Sequence, residues 1–173
     1  MIGTIGRILD AYCVFLKFAI AACLAVMVVL VFGNVLLRYG FNSGITVSEE
    51  LSRWLLVWLT FLGAIVALRQ HAHLGVDTLV RMLPPVGKRI CFVVSYCLML
   101  WADWLLLAGS WKQTVLGMSD SAPATGFSFA WFYGAGVVFG VSAGVILIYD
   151  LFRVLSGAAS EADLVAVRDH EEV

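Results

Sequence analysis

An all-α integral membrane protein with four transmembrane helices is predicted by three properties of this chain. Its 173 residues are 62% hydrophobic and only 13% charged, where a soluble domain carries about 25% charged residues. Its mean hydropathy is +0.97, so water is not its main solvent. Four apolar runs meet or approach the roughly 20 residues that a helix needs to cross a hydrocarbon core of about 30 Å. Only a helix or a closed barrel pairs every backbone amide where lipid offers no partner.

The first span is expected at about 14–37, because Phe18 to Leu37 carries no charge. A cleavable signal peptide has an apolar core of about 7 to 15 residues. This run continues well past Ala19-Ile20-Ala21, so the segment is expected to stay as a span. The second is expected at about 47–68. Trp54 to Leu68 is charge-free but too short alone, so the helix must begin near Val47 with Glu49, Glu50 and Arg53 in its first turns. Thr46-Val47-Ser48-Glu49 fits the capping-box pattern, and both acids would sit at the positive end of the helix dipole.

The third span is expected at about 90–111, with Asp103 its one charge, and the fourth at about 127–149, with none. Between spans two and three, Val76, Leu79, Val80 and Leu83 share one helical face and Asp77 and Arg81 another. That pattern predicts a short amphipathic helix lying on the membrane surface, ended by Pro84-Pro85. Residues 1–155 are expected to form one four-helix domain, and 156–173 an acidic cytoplasmic tail. Both termini are expected in the cytoplasm, because that side then holds Arg7, Lys17, Arg69, Arg81, Lys88, Arg89, Arg153 and Arg168. The outer side keeps only Arg38, Arg53 and Lys112.

Scattered basic residues and a formal net charge of -1 exclude the electrostatic footprint that nucleic acid requires. Cys13, Cys23, Cys91 and Cys97 form no metal-ligand or redox pair spacing and read as small core hydrophobes. His71 and His73 lie two apart, on different helix faces and outside every apolar run, which argues against haem ligation. No cofactor or metal is expected.

Asp103 is the only acid well inside a span, and an intramembrane ionisable group is a functional candidate by default. Counted from the outer ends, Asp103 lies about 12 Å below Trp111 and Arg53 about 10 Å below Thr46. Equal depths suggest a structural ion network of Asp103, Arg53, Glu49 or Glu50, and Arg38. The competing reading makes Asp103 a proton or cation site. Gly136, Gly140 and Gly144 form a stripe that admits a close neighbour, with a shorter device at Gly63 and Ala67. These faces serve either the four helices themselves or a partner subunit. Discontinuous helices, inverted repeats and converging midplane polar groups, the usual marks of a self-sufficient transporter, are not evident in the sequence.

Asn34-Val35-Leu36-Leu37-Arg38-Tyr39, Asn42, Ser48-Glu49-Glu50-Leu51-Ser52-Arg53, Trp58-Leu59-Thr60-Phe61-Leu62-Gly63-Ala64 and Ala67-Leu68-Arg69 with His73 and Asp77 occur in that order. This series closely resembles the small membrane subunit of tripartite ATP-independent periplasmic transporters, the DctQ-like family. The resemblance implies a bacterial or archaeal inner-membrane complex and no enzymatic activity. In it a periplasmic binding protein delivers an organic anion to a large multi-span subunit driven by a sodium or proton gradient. The small subunit would support the large one and help dock the binding protein. Glu49, Glu50 and Arg53 match the family's acidic-basic entrance, and Arg38 its arginine at the end of the first span. Many members carry an aromatic residue or proline before the paired glutamates, whereas this chain has Thr46-Val47-Ser48, which leaves the substrate open. Two other readings are an autonomous homo-oligomeric transporter that uses Asp103, and the membrane anchor of a redox enzyme.

Overall fold

The computed structural model describes residues 2–70 and 85–155. These form four helices: α1 (Ile2–Gly40), α2 (Thr46–Arg69), α3 (Pro85–Leu116) and α4 (Ala130–Leu155). All four are long and apolar enough to cross a membrane. The surface helix expected between the second and third spans, and the acidic tail, lie outside the described residues.

The helix bounds differ from the expected spans at both ends. α1 begins far before residue 14, and its 39 residues reach about 58 Å at 1.5 Å per residue. Arg7, Asp10 and Lys17 interrupt the apolar run in sequence but stand on its exposed side, while Leu9, Cys13 and Leu16 recur at helical spacing on the buried one. At its far end α1 stops where Asn42 takes a left-handed φ of 50°. The Ser43 amide then turns back to the Leu37 carbonyl at 3.2 Å. α4 starts at Ala130 and not at 127, because the Ser128 hydroxyl accepts the Ala130 amide at 3.2 Å and holds the preceding residues in the loop.

The main helix contacts are α1 with α2, α2 with α4, and α4 with α3. The helices therefore form a row in the order α1, α2, α4, α3. Side-chain pairs fix the directions. Leu30 meets Ser48 and Asp10 meets Arg69, so α1 and α2 are antiparallel. Trp54 meets Phe132 and Phe61 meets Phe139, so α2 and α4 are parallel. Near its start α1 also reaches α4, where the Tyr12 and Ser142 hydroxyls lie 3.0 Å apart.

The core lies in that same half of the molecule. Leu9 and Leu16 of α1 pack with Leu62, Ile65, Val66 and Leu68 of α2 and with Ala143, Ile146 and Leu147 of α4. Ile65 is fully buried, at 0% exposure. Lipid tails are as apolar as leucine, so in a bilayer such a core holds by close contact and not by expulsion of water. The two end helices of the row share little of it: of the most apolar stretch, α1 buries 6% and α3 none, against 33% in α2 and 39% in α4.

Candidate functional site

The α1–α2 turn brings together Asn34, Arg38, Glu49 and Arg53. The expected capping box does not form: Ile45 occupies the cap position without a side-chain bond. Asn34 takes over that work, its Oδ1 accepting the Ile45 amide at 2.7 Å and its Nδ2 donating to Glu49 Oε1 at 3.3 Å. The Ser48 hydroxyl, one turn inside, donates to the Leu30 carbonyl at 2.7 Å. These bonds run between helices, so α1 satisfies the Ile45 amide at the start of α2, while the Ser48 amide bonds the Ile45 carbonyl within the first turn at 3.1 Å. Arg38 reaches Glu49 at 3.9 Å with both side chains more than half exposed, a pairing that contributes little stability. Arg53 donates Nε to the Glu49 carbonyl at 3.4 Å and not to its carboxylate.

Glu50 points the opposite way. Buried at 6% exposure, its carboxylate accepts the Ala124 amide at 3.0 Å and the Thr125 hydroxyl at 2.5 Å. It thus ties α2 to the α3–α4 loop. The loop is itself a tight structure, with Ala122 and Phe127 bonded at 2.8 Å, Asp120 and Phe129 at 3.0 Å, and Gly126 at a φ of 71° between them. Trp54 packs on Phe129 and Phe132, and Trp58 donates its indole N–H to the Trp131 carbonyl at 3.1 Å.

Asp103 is not part of either cluster. Its Oδ2 faces Gly144, where an added Cβ would lie 3.2 Å away, and its buried Oδ1 has no hydrogen-bond partner among the described residues. The expected pairing with Arg53 fails on depth. Arg53 adjoins Trp54, which packs on Phe132 near the start of α4. Gly144 is twelve residues further along that helix, about 18 Å at helical rise. The depth counted from Trp111 is too shallow because α3 continues past it to Leu116.

The glycine stripe receives α3. Added Cβ atoms would stand 2.5 Å from Ser110 Oγ at Gly136 and 2.9 Å from Leu107 Cβ at Gly140. Nothing lies within 4 Å of a Cβ at Gly63, so the shorter device expected with Ala67 is not a close approach at that glycine.

Sequence reasoning missed the principal ionic cluster, at the opposite end. Arg69 donates Nε and Nη2 to Asp10 Oδ1 at 3.0 and 2.9 Å and lies 3.5 Å from Asp150. Its guanidinium also stands 5.5 Å from the Tyr149 ring centre. Arg69 and Asp150 are 14% and 7% exposed, so one forked cation joins α1, α2 and α4. The signal was available: Asp10 lies near the start of α1, and Arg69 and Asp150 near the ends of α2 and α4, so helices of alternating direction bring all three to one side. Of the three, only Arg69 enters the sequence reading, as one of the basic residues that set the orientation.

Four apolar helices, two ionic clusters at opposite ends and packing devices between them define a multi-pass membrane protein. The family model described as "Tripartite ATP-independent periplasmic transporters, DctQ component" matches residues 27–157. A Haemophilus influenzae protein assigned as a TRAP transporter small permease is 40% identical over 151 residues, covering 87% of this chain and 89% of the relative. A second one from that organism is 33% identical, over 80% of this chain and 84% of its own length. The C4-dicarboxylate TRAP transporter small permease protein DctQ of Vibrio cholerae is 34% identical over 96 residues, 56% of this chain and 41% of the relative. The chain belongs to the DctQ family of TRAP transporter small permease subunits. It is a multi-pass inner-membrane component of a transporter and not an enzyme.

Proposed function

We propose that this chain is the passive scaffold of an ion-gradient-driven importer of an organic anion. In this reading it supports a large multi-span membrane subunit and helps dock a periplasmic solute-binding protein. The observation that carries the proposal is the unequal burial along the row. α2 and α4 are packed into the protein, while α1 and α3 bury almost none of their apolar length. A bundle complete in itself would enclose its core from all sides, whereas an open row offers helix faces to lipid and to a larger neighbour. The dicarboxylate in the name of the Vibrio cholerae relative supports a carboxylate substrate.

The basic-residue count supports an orientation with both termini inside. The Glu50-tied loop and the Asn34–Glu49 turn then face the periplasm as a fixed surface on which a binding protein could settle. In this reading Asn34, Glu49 and Glu50 hold the outer end in shape, Arg38 and Arg53 stand at its surface, and the glycine stripe holds α3. Co-expression with the large subunit, followed by purification through a tag on this chain in mild detergent, tests the reading. The large subunit is expected to co-purify; recovery of this chain without it would refute the scaffold role.

One observation favours a second reading. The buried Asp103 Oδ1 has no partner among the described residues, as a proton site in an autonomous homo-oligomer would require. A single acid facing a glycine supplies no cage for an ion, so this reading stands second.

A further inference from the structure

The polar cluster at the α1–α2 turn borders a groove that its own bonds leave open. A cavity of about 450 Å³ lies between α1 and α2, lined by Arg38, Arg53, Asn34 and Glu49 on its polar side and by Val31 and Val35 on its apolar side. A second cavity, about 310 Å³, shares Val31 and Val35 and continues along α1 past Phe32 to Met27, with only apolar side chains. From Arg38 back to Met27 is eleven residues, about 16 Å along the helix axis, close to half the hydrocarbon thickness of a bilayer.

From this arrangement we infer that one phospholipid binds here, its phosphate between Arg38 and Arg53 in the α1–α2 cavity and an acyl chain on the adjoining face of α1 along Val35, Val31 and Met27. Charge favours an anion. Arg53 makes no ion pair among the described residues and its Nε contact is to a backbone carbonyl, so both terminal nitrogens can donate. Arg38 holds Glu49 only at 3.9 Å, loosely enough to turn toward a phosphate oxygen. Two guanidinium groups and one carboxylate, Glu49, line the cavity, while the Glu50 carboxylate is turned away to Ala124 and Thr125, so the lining itself favours an anion. A carboxylate from a partner protein would satisfy the polar cavity alone. A phospholipid carries both chemistries in the connected order that the two cavities present, and it is already at this depth in the membrane.

The test uses the full chain purified in mild detergent, titrated with dioleoyl phosphatidylglycerol and with inorganic phosphate and read by native mass spectrometry. One phospholipid is expected to remain bound to the wild type, and inorganic phosphate is not expected to displace it. The double variant Arg38→Gln and Arg53→Gln is expected to weaken retention by about tenfold or more, the loss of at least one charge-assisted bond. Val35→Trp leaves both arginines in place and fills the apolar half, and it is expected to weaken retention too. Val35 is exposed, so this variant decides the matter if the double variant does not fold. Equal retention in the variants, or displacement by inorganic phosphate, would overturn the inference. So would a double variant that keeps its lipid but loses the large subunit, since the arginines would then serve a protein carboxylate.

Discussion

Replacing Gly140 with alanine tests whether α3 is held by the glycine stripe. The new Cβ would lie 2.9 Å from Leu107 Cβ, 3.0 Å from its Cδ1 and 3.3 Å from its Cα, where carbon atoms are at rest at about 3.5 to 4.0 Å. Two of those atoms are fixed to the α3 backbone. No rotamer change relieves them, and the helices must separate by roughly 0.5 to 1 Å. Overpacking of this kind costs about 1 to 3 kcal/mol. Gly63→Ala is the matched control, because nothing lies within 4 Å of a Cβ there. Each variant gains the same 0.5 to 1 kcal/mol or so of helix propensity, which cancels in the comparison. Unfolding in mixed micelles is therefore expected to find Gly140→Ala less stable than Gly63→Ala by roughly 1 to 3 kcal/mol. Equal stability of the two would refute close packing along the stripe.

Glu50→Ala should free the α3–α4 loop, seen as faster hydrogen exchange at the Ala124 amide, whereas Glu50→Gln, which keeps one acceptor oxygen, should do so less. Arg69→Lys keeps the charge but loses the fork that spans Asp10 and Asp150. It should loosen the start of α1, raising exchange over residues 5–12 while leaving α3 unchanged. Asp103→Ala removes a buried oxygen that lacks a partner among the described residues, and should leave thermal stability unchanged or raised. A clear loss would show that Asp103 holds the helices together after all.

The four spans were legible because hydrocarbon imposes a minimum apolar length on any helix that crosses it. Their ends were not, since charges tolerated on one face look in sequence like the end of a run. Arg7, Asp10 and Lys17 concealed the first part of α1 in this way. At the α1–α2 turn the residue types are legible in sequence but not their partners. Glu49 and Glu50 are adjacent, yet helical rotation sends one to Asn34 on α1 and the other to Thr125 beyond α3. Asn34 caps α2 from another helix, which no local motif encodes. Depth was the weakest inference, because it assumed that α3 ends at its last tryptophan. With α3 running on to Leu116, Asp103 faces Gly144 and is far from Arg53.

The most direct measurement of the passive role is solute uptake by the purified chain alone in sealed vesicles, under an imposed sodium or proton gradient. A scaffold subunit gives no accumulation above empty vesicles, with or without Asp103. Gradient-driven accumulation that disappears in Asp103→Asn would contradict that role and make this chain a transporter in its own right.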